Sequence, residues 1–305
     1  MPSHLPVMLD SVVAALDPRP GATLVDGTLG LGGHAEALLE AIGSSGLLIG
    51  LERDGSLLAA ARERLARFGE AFRGVHTRLS YLVEAVRGAG IEAVDGILLD
   101  LGICSAQLDD PKRGFSFRDQ ARDAPLDMRM DPSRGETAGE LLARLAEDEL
   151  ADLLRRGGVA ASRRVARLLI QRRPLATVGD LLDALAGAKL PARRHHPATL
   201  VFQALRMAVN DEQNELEAAL DASVDLLARG GRLAVLSYHS GEDRTVKRFF
   251  AREARGCICP PDLPVCGCGR SPRLRSLVRG RSASPEEIAR NPRARSARLR
   301  AGERL

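Results

Sequence analysis

The apolar positions change period several times along the chain, and each change marks an element. Residues 23–25 form a short apolar run ending at Asp26, and Ala35, Leu38, Leu39 and Ile42 then recur at i, i+3, i+4 and i+7. The run predicts a buried strand, and the recurrence predicts the core face of a helix that Gly43 stops. The alternation continues with a strand over 47–51 ending at Glu52, a helix over 57–68, a short strand at 74–76, a helix over 81–87 and a strand over 94–99 ending at Asp100. Strand and helix in this order predict a doubly wound α/β fold around a parallel sheet. After Asp100 the period stays helical for roughly a hundred residues, with helices predicted over 137–145, 147–156, 162–172 and 178–185. Strand character returns at 232–236 after Gly230-Gly231, and the chain closes on extended segments at 274–279 and 297–300. The pattern therefore predicts a discontinuous core, residues 1–104 and 211–305, with an all-helical domain of residues 105–210 inserted after the fourth strand.

The link between the first strand and its helix reads Asp26-Gly-Thr-Leu-Gly-Leu-Gly-Gly-His34. Glycines let the backbone approach a ligand, and the free N–H groups of a helix start attract an anion. Gly30 to Ala35 fits the dinucleotide pattern G-x-G-x-x-A. Glu52 stands about 20 residues on, where a carboxylate accepts hydrogen bonds from both hydroxyls of a ribose. A structural turn explains the glycines alone, but the added acid favours an adenosine-like ligand. Asp26 is the carboxylate that positions the loop.

Composition narrows the class. Of the 305 residues 45% are hydrophobic, enough for sizeable cores. No apolar run approaches the ~20 residues of a bilayer span, and no basic-then-apolar segment opens the chain, so a soluble cytoplasmic protein without membrane partners is expected. The net charge is only +4, yet from Arg270 onward eleven arginines face just Glu286, Glu287 and Glu303. Such a tail suits phosphate contacts, although a solvated arginine-rich surface would read the same way. Two tyrosines, seven phenylalanines and no tryptophan argue against a binder built on stacked aromatic platforms.

An acid ending the fourth strand opposite the glycine loop, a large insertion after it and a terminal strand pair suit a methyltransferase sheet better than a dehydrogenase. S-adenosylmethionine is then the expected ligand: its carboxylate lies at the helix start, its ribose on Glu52 and its methyl toward the fourth strand. Asp100 becomes the candidate catalytic group, with a cap or a purely ligand-binding carboxylate as the plainer alternative.

The chain also carries His4-Leu-Pro-Val-Met8, Asp100-Leu-Gly, Ser105-Ala-Gln-Leu-Asp-Asp110, Arg113-Gly-Phe-Ser-Phe117 and Leu126-Asp-Met-Arg-Met130. Phe202-Gln-Ala-Leu-Arg206 with Val209-Asn210, His239-Ser240 with Glu242-Asp-Arg244, and Asn291-Pro-Arg-Ala-Arg-Ser-Ala297 follow in order. In this order the set closely resembles the bacterial 16S ribosomal RNA cytosine-N4-methyltransferases, from near the N-terminus to the last ten residues. The resemblance implies a Rossmann-like class I methyltransferase fold, S-adenosylmethionine as donor and the N4 of a decoding-region cytidine as acceptor. The implied partner is 16S rRNA in an assembling small ribosomal subunit, and a homodimer is a further candidate. By motif, the implied cofactor contacts are Gly32, Gly33, His34, Glu52, Leu79, Asp100 and Gln107, and Asp26 joins them by position. Several positions depart from the family pattern. Glu52 replaces an aspartate, Leu79 a phenylalanine that packs on the adenine, Cys104 a serine, Tyr238 a phenylalanine and Gly241 a leucine.

His239 is a second catalytic candidate because a free imidazole titrates near neutral pH, although a packed or capping role is the plainer reading. RNA-contact candidates are Lys112, Arg113, Phe115 and Arg129 in a loop that mixes cations with aromatics, and Arg206 with Asn210 one helical turn apart. Arg244, Arg293 and Arg295 complete that set. Cys257, Cys259, Cys266 and Cys268 are candidate ligands of a structural zinc ion, but C-x-C is less diagnostic than C-x₂-C, and free thiols in a surface loop are the preferred reading. Two other classes compete for the function. A nicotinamide-dependent oxidoreductase explains the glycine loop and Glu52 but not the insertion or the tail. A ribosome-assembly RNA-binding factor with a vestigial cofactor site explains the tail.

Overall fold

The computed structural model describes residues 5–187, 198–257, 259–260 and 263–305, so His4 of the first motif lies outside the described residues. The chain divides into two units, Met1–Gly102 with Asn214–Leu305, and Ile103–Gln213.

The first unit is built on strands β1 (Thr23–Asp26), β2 (Leu47–Glu52), β3 (Phe72–His76), β4 (Val94–Asp100), β5 (Leu227–Ser237), β6 (Leu274–Ser282) and β7 (Arg298–Arg304). Their spatial order is β3-β2-β1-β4-β5-β7-β6. β1 to β5 pair in parallel, whereas β7 runs antiparallel between β5 and β6. Helices α1 (Leu9–Leu16), α2 (Gly33–Ile42) and α3 (Gly55–Leu65) lie in one core cluster, with Leu24, Leu48, Leu98 and Leu236 of the strands. Helix α4 (Leu82–Gly88) lies in the other cluster with Val25, Ile49, Ile97, Leu99 and Val235. Successive strand residues thus point to opposite faces and both faces are buried, which is why these strands read as continuous apolar runs. The order reverses after β1, so the carboxyl ends of β1 and β4 open a crevice at that point.

The second unit contains helices α5 (Ser105–Asp109), α6 (Ala138–Arg144), α7 (Glu147–Arg156), α8 (Ser162–Gln171), α9 (Val178–Ala186) and α10 (Ala198–Val209) around one apolar cluster. Thr137 with Glu140 and Thr177 with Asp180 form capping boxes that fix the starts of α6 and α9. Helix α11 (Glu212–Leu226) crosses the boundary between the units, and α12 (Ser240–Arg255) and α13 (Pro285–Arg290) return to the first.

Element boundaries differ from the sequence pattern where glycine or a bulge intervenes. The helix expected over 57–68 ends at Leu65, because Gly69 takes φ 54° and ψ −128° and the residues before it tighten into a 3₁₀ stretch. β5 starts at Leu227 instead of 232, since the chain pairs with Val94 before a register shift lets Gly230-Gly231 through.

Candidate active site

β1 stops at Asp26 because its buried carboxylate accepts the Thr28 N–H (3.1 Å), turning the chain two residues on. A Cβ on Gly27 would stand 2.7 Å from Leu99 Cδ2 and 2.8 Å from Leu79 Cδ1, so any side chain there would push both leucine ends aside. Gly32 holds φ 76° as the N-cap of α2, a left-handed conformation that glycine adopts without strain. Leu79 begins a 3₁₀ turn and is half-buried beside Gly27. Leu79 therefore borders the glycine loop, with an aliphatic side chain where the family pattern has a ring.

Three carboxyl groups surround this loop. Glu52 accepts the N–H of Gly30 and of Asp54, each at 2.8 Å, so it holds the loop down. Burial pushes its carboxyl above the usual range, against the lowering effect of these hydrogen bonds. Asp100 ends β4. Its backbone N–H donates to Thr28 Oγ1 (2.6 Å), and its Oδ1 accepts the phenol hydroxyl of Tyr238 (2.7 Å). Burial pushes the Asp100 carboxyl up to about 7 even though the Tyr238 bond favours its charged form. Asp26 is pushed up to about 6, again by burial, with His34 and the Thr28 hydrogen bond pulling it down and Asp100 and Glu52 pushing it up.

His34 sits between these acids. Burial holds its imidazole below the ordinary value, so the ring is neutral near pH 7. Its Nε2 lies 3.0 Å from the Val7 carbonyl oxygen, which can only accept, so Nε2 carries the hydrogen. Nδ1 is then a lone pair 3.5 Å from Asp100 Oδ2. Tyr238, whose phenol is pushed well up by burial and then by Asp100, stays protonated and is a permanent donor. With 24% of its side-chain surface exposed, Asp100 combines an open side with a lifted proton affinity, as a base working near neutrality requires.

The sequence reading missed Thr28 and gave Tyr238 no role. Thr28 joins the Asp26 turn to the start of the Asp100 peptide; the string Asp-Gly-Thr was its only signal. Tyr238 was visible as a family departure, but contact with Asp100 across 138 positions of sequence separation cannot be read from spacing.

Other candidates have different employment. His239 is the N-cap of α12: Nδ1 accepts the N–H groups of Gly241 (3.1 Å) and Glu242 (3.3 Å), the capping role weighed against catalysis. Gln107, expected at the cofactor, lies in the helical unit, where its Oε1 accepts the Cys104 N–H at 3.2 Å and its Nε2 faces the Met130 carbonyl at 3.4 Å. Phe115 is 6% exposed inside the helical core, which removes it as an exposed stacking platform. Arg113 donates to the carbonyls of Arg129 and Met130. Arg129 is held bidentately by Asp127, and Arg206 likewise by Glu212. Lys112, Arg244, Arg293 and Arg295 are exposed.

Asn210, 1% exposed, accepts the Met130 N–H and donates to the Met128 and Arg206 carbonyls. In this structure it clasps three backbone groups of the helical unit. Asn210→Ala strands buried backbone groups, each costing about 1–3 kcal/mol. Calorimetry should show a clearly lowered melting temperature, with RNA affinity of the folded fraction unchanged; unchanged melting would refute the clasp.

The sheet order, the loop and the acid at the end of β4 define a class I S-adenosylmethionine-dependent methyltransferase. The model of the MraW methylase family matches residues 1–305, and the chain belongs to that family. It is 49% identical to ribosomal RNA small subunit methyltransferase H of Trichlorobacter lovleyi, over 99% of this chain and 98% of that protein. It is 46% identical to the protein of that name in Heliobacterium modesticaldum, over 99% and 98% of the two chains. The Geobacter sulfurreducens protein of the same name is 49% identical over 99% of both. Among solved structures, a rRNA methylase of Streptococcus thermophilus covers 97% of this chain and 93% of its own at 12% identity, with a TM-score of 0.41.

Proposed function

We propose that this protein transfers the methyl group of S-adenosylmethionine to the exocyclic N4 of a cytidine in the decoding region of 16S rRNA, with Asp100 as the group that holds and accepts the N4 proton. The observation that carries the reading is Asp100 itself, ending β4 beside the glycine loop with its carboxyl lifted to about 7. A cytosine amino group is a weak nucleophile because its lone pair is delocalised into the ring, so transfer needs a positioned acceptor for the departing proton. Bound S-adenosylmethionine supplies an electrophilic methyl on a positively charged sulfur. The residues fit that group: Gly32 and Gly33 begin α2, whose first N–H groups suit its carboxylate, Glu52 brings a carboxylate to the loop for the ribose hydroxyls, and Leu79 gives an apolar wall. Asp100 accepts the N4 proton, Tyr238 holds the carboxylate in place beforehand by donating to Oδ1, and neutral His34 presents Nδ1 toward Oδ2, where it accepts from the carboxyl once that oxygen is protonated. Membership of a methylase family leaves the nicotinamide reading without support.

Recognition of the RNA, within the small ribosomal subunit, belongs to the helical insertion and to the arginine-rich tail. Arg275, Arg279 and Arg281 stand exposed on the edge strand β6, where like charges also block edge-to-edge pairing. Radiolabelled methyl transfer to undermethylated small subunits and to naked 16S RNA tests the function, with product nucleosides separated by mass and retention. N4-methylcytidine is expected; no incorporation on either substrate overturns the reading. In the same assay series, Arg244→Ala and Arg295→Ala should each weaken RNA binding about equally for all sequences and reduce the salt slope by about 1. Unaltered slopes would remove these residues from the interface. The homodimer is checked by sedimentation of the same preparation.

A further inference from the structure

The segment between α12 and β6 has no part in the chemistry described above, yet it brings four cysteines together. We propose that Cys257, Cys259, Cys266 and Cys268 bind one zinc ion as four thiolates, and that this ion is the fastening that holds the segment folded. The Sγ atoms of Cys257 and Cys266 lie 3.6 Å apart, those of Cys266 and Cys268 3.5 Å, and those of Cys268 and Cys257 3.8 Å. Cys259 completes the group, all four sulfurs lying within 4.8 Å of one another. Sulfurs about 2.3 Å from a tetrahedral zinc stand about 3.8 Å apart, whereas a disulfide requires about 2.05 Å. None of the four cysteines is in a disulfide, and their sulfurs are spaced like the edges of a tetrahedron and not like bonded pairs. Sequence spacing alone favours unligated thiols; the convergence of the sulfurs reverses that order.

Among the described residues of the segment, nothing else explains the convergence. Leu263 and Val265 are 47% and 77% exposed, so they supply no core. Among the described residues, the segment is pinned at its neck. Gly256 takes φ 70°, and a Cβ there would stand 2.4 Å from Pro272 N. The Arg273 N–H donates to the Glu253 carbonyl (2.9 Å), and the Arg273 side chain donates to the buried Glu253 carboxylate (2.6 Å). Beyond that neck a stretch this short buries too little apolar surface to order itself, the situation in which small folds rely on a metal or a cross-link. Zinc displaces four thiol protons and leaves a group of charge −2, with no electron transferred.

The test is metal analysis of the full-length protein purified without chelator, then after chelation and titration with zinc or cobalt(II). One zinc per chain is expected, together with the intense visible absorption of tetrahedral cobalt thiolate after exchange. Four of the five thiols should react slowly with a thiol reagent until a chelator is added. Cys266→Ser should lose the bound zinc, while Cys104→Ser, outside the cluster, retains one equivalent. Circular dichroism confirms that both variants are folded. Five fast-reacting thiols with no metal taken up, two disulfides by mass, or iron in place of zinc would each overturn the proposal. None of these readouts depends on methyl transfer, so failure of this site and failure of the proposed activity are separable.

Discussion

Asp100→Asn is expected to lower the methyl-transfer rate by about 10²–10⁴-fold, the range that a positioned proton acceptor contributes. Asparagine keeps the shape of the side chain and its bond from the Tyr238 hydroxyl, so the loss reads as chemistry and not as collapse of the site. The sign of the pH dependence follows from the carboxyl at about 7. Asp100 is protonated and inactive below that value, so kcat/KM of the parent enzyme rises with pH through it and then levels. Tyr238→Phe removes a hydrogen bond that favours the charged carboxylate, so the rising limb should move to higher pH while the plateau stays within a few-fold. The pair of variants separates two roles. A residue that only binds cofactor would raise KM for S-adenosylmethionine and leave the limb in place. Full rate in Asp100→Asn at saturating substrates would remove Asp100 from the chemistry.

Much of the geometry around the glycine loop was legible because its parts are consecutive in the chain. Asp26 to His34 form one string, and Glu52 and Asp100 each end an apolar run, so period and spacing locate the loop and the two acids, while Gly32, Gly33 and His34 were singled out by the family motif. The parallel sheet followed from the same runs, since strands buried on both faces are uniformly apolar. The antiparallel wedge of β7 between β5 and β6 was not legible, because strand order is set by distant pairing and leaves no mark on period. Side-chain employment was equally hidden. Arg129 and Arg206 look alike in sequence to Arg244 and Arg295, but carboxylates two and six residues away hold the first pair in ion pairs. His239 was legible in outline: a packed or capping role was the plainer reading, and Glu242 three residues on completes the capping box at the start of α12.

The remaining large effect concerns the charge of the donor. Asp26 at about 6 and Asp100 at about 7 are partly protonated in the unliganded protein near neutrality, and Glu52 is lifted as well. A positive sulfur bound among them favours the ionised forms, so binding releases protons, and affinity gains up to about tenfold per pH unit for each proton released. Titration calorimetry should find S-adenosylmethionine binding tighter by on the order of 10²-fold at about pH 8 than at about pH 5.5. S-adenosylhomocysteine, identical apart from the missing methyl and its positive charge, should gain far less, and Asp26→Asn should remove part of the difference. Folding follows the same linkage. Carboxyl groups lifted in the fold contribute stability that is complete below about pH 4 and is lost as pH rises through about 6 and 7. His34, lowered in the fold, contributes in the opposite sense, its share being lost as pH falls below about 6.5. The unliganded protein therefore bears the cost of ionised, crowded acids at pH 8, and a bound cation relieves it. The rise in melting temperature produced by S-adenosylmethionine should exceed that produced by S-adenosylhomocysteine, by a margin that widens from about pH 6 to about pH 8. Parallel affinity curves for the two ligands would show that the acids around the glycine loop do not sense the sulfonium charge.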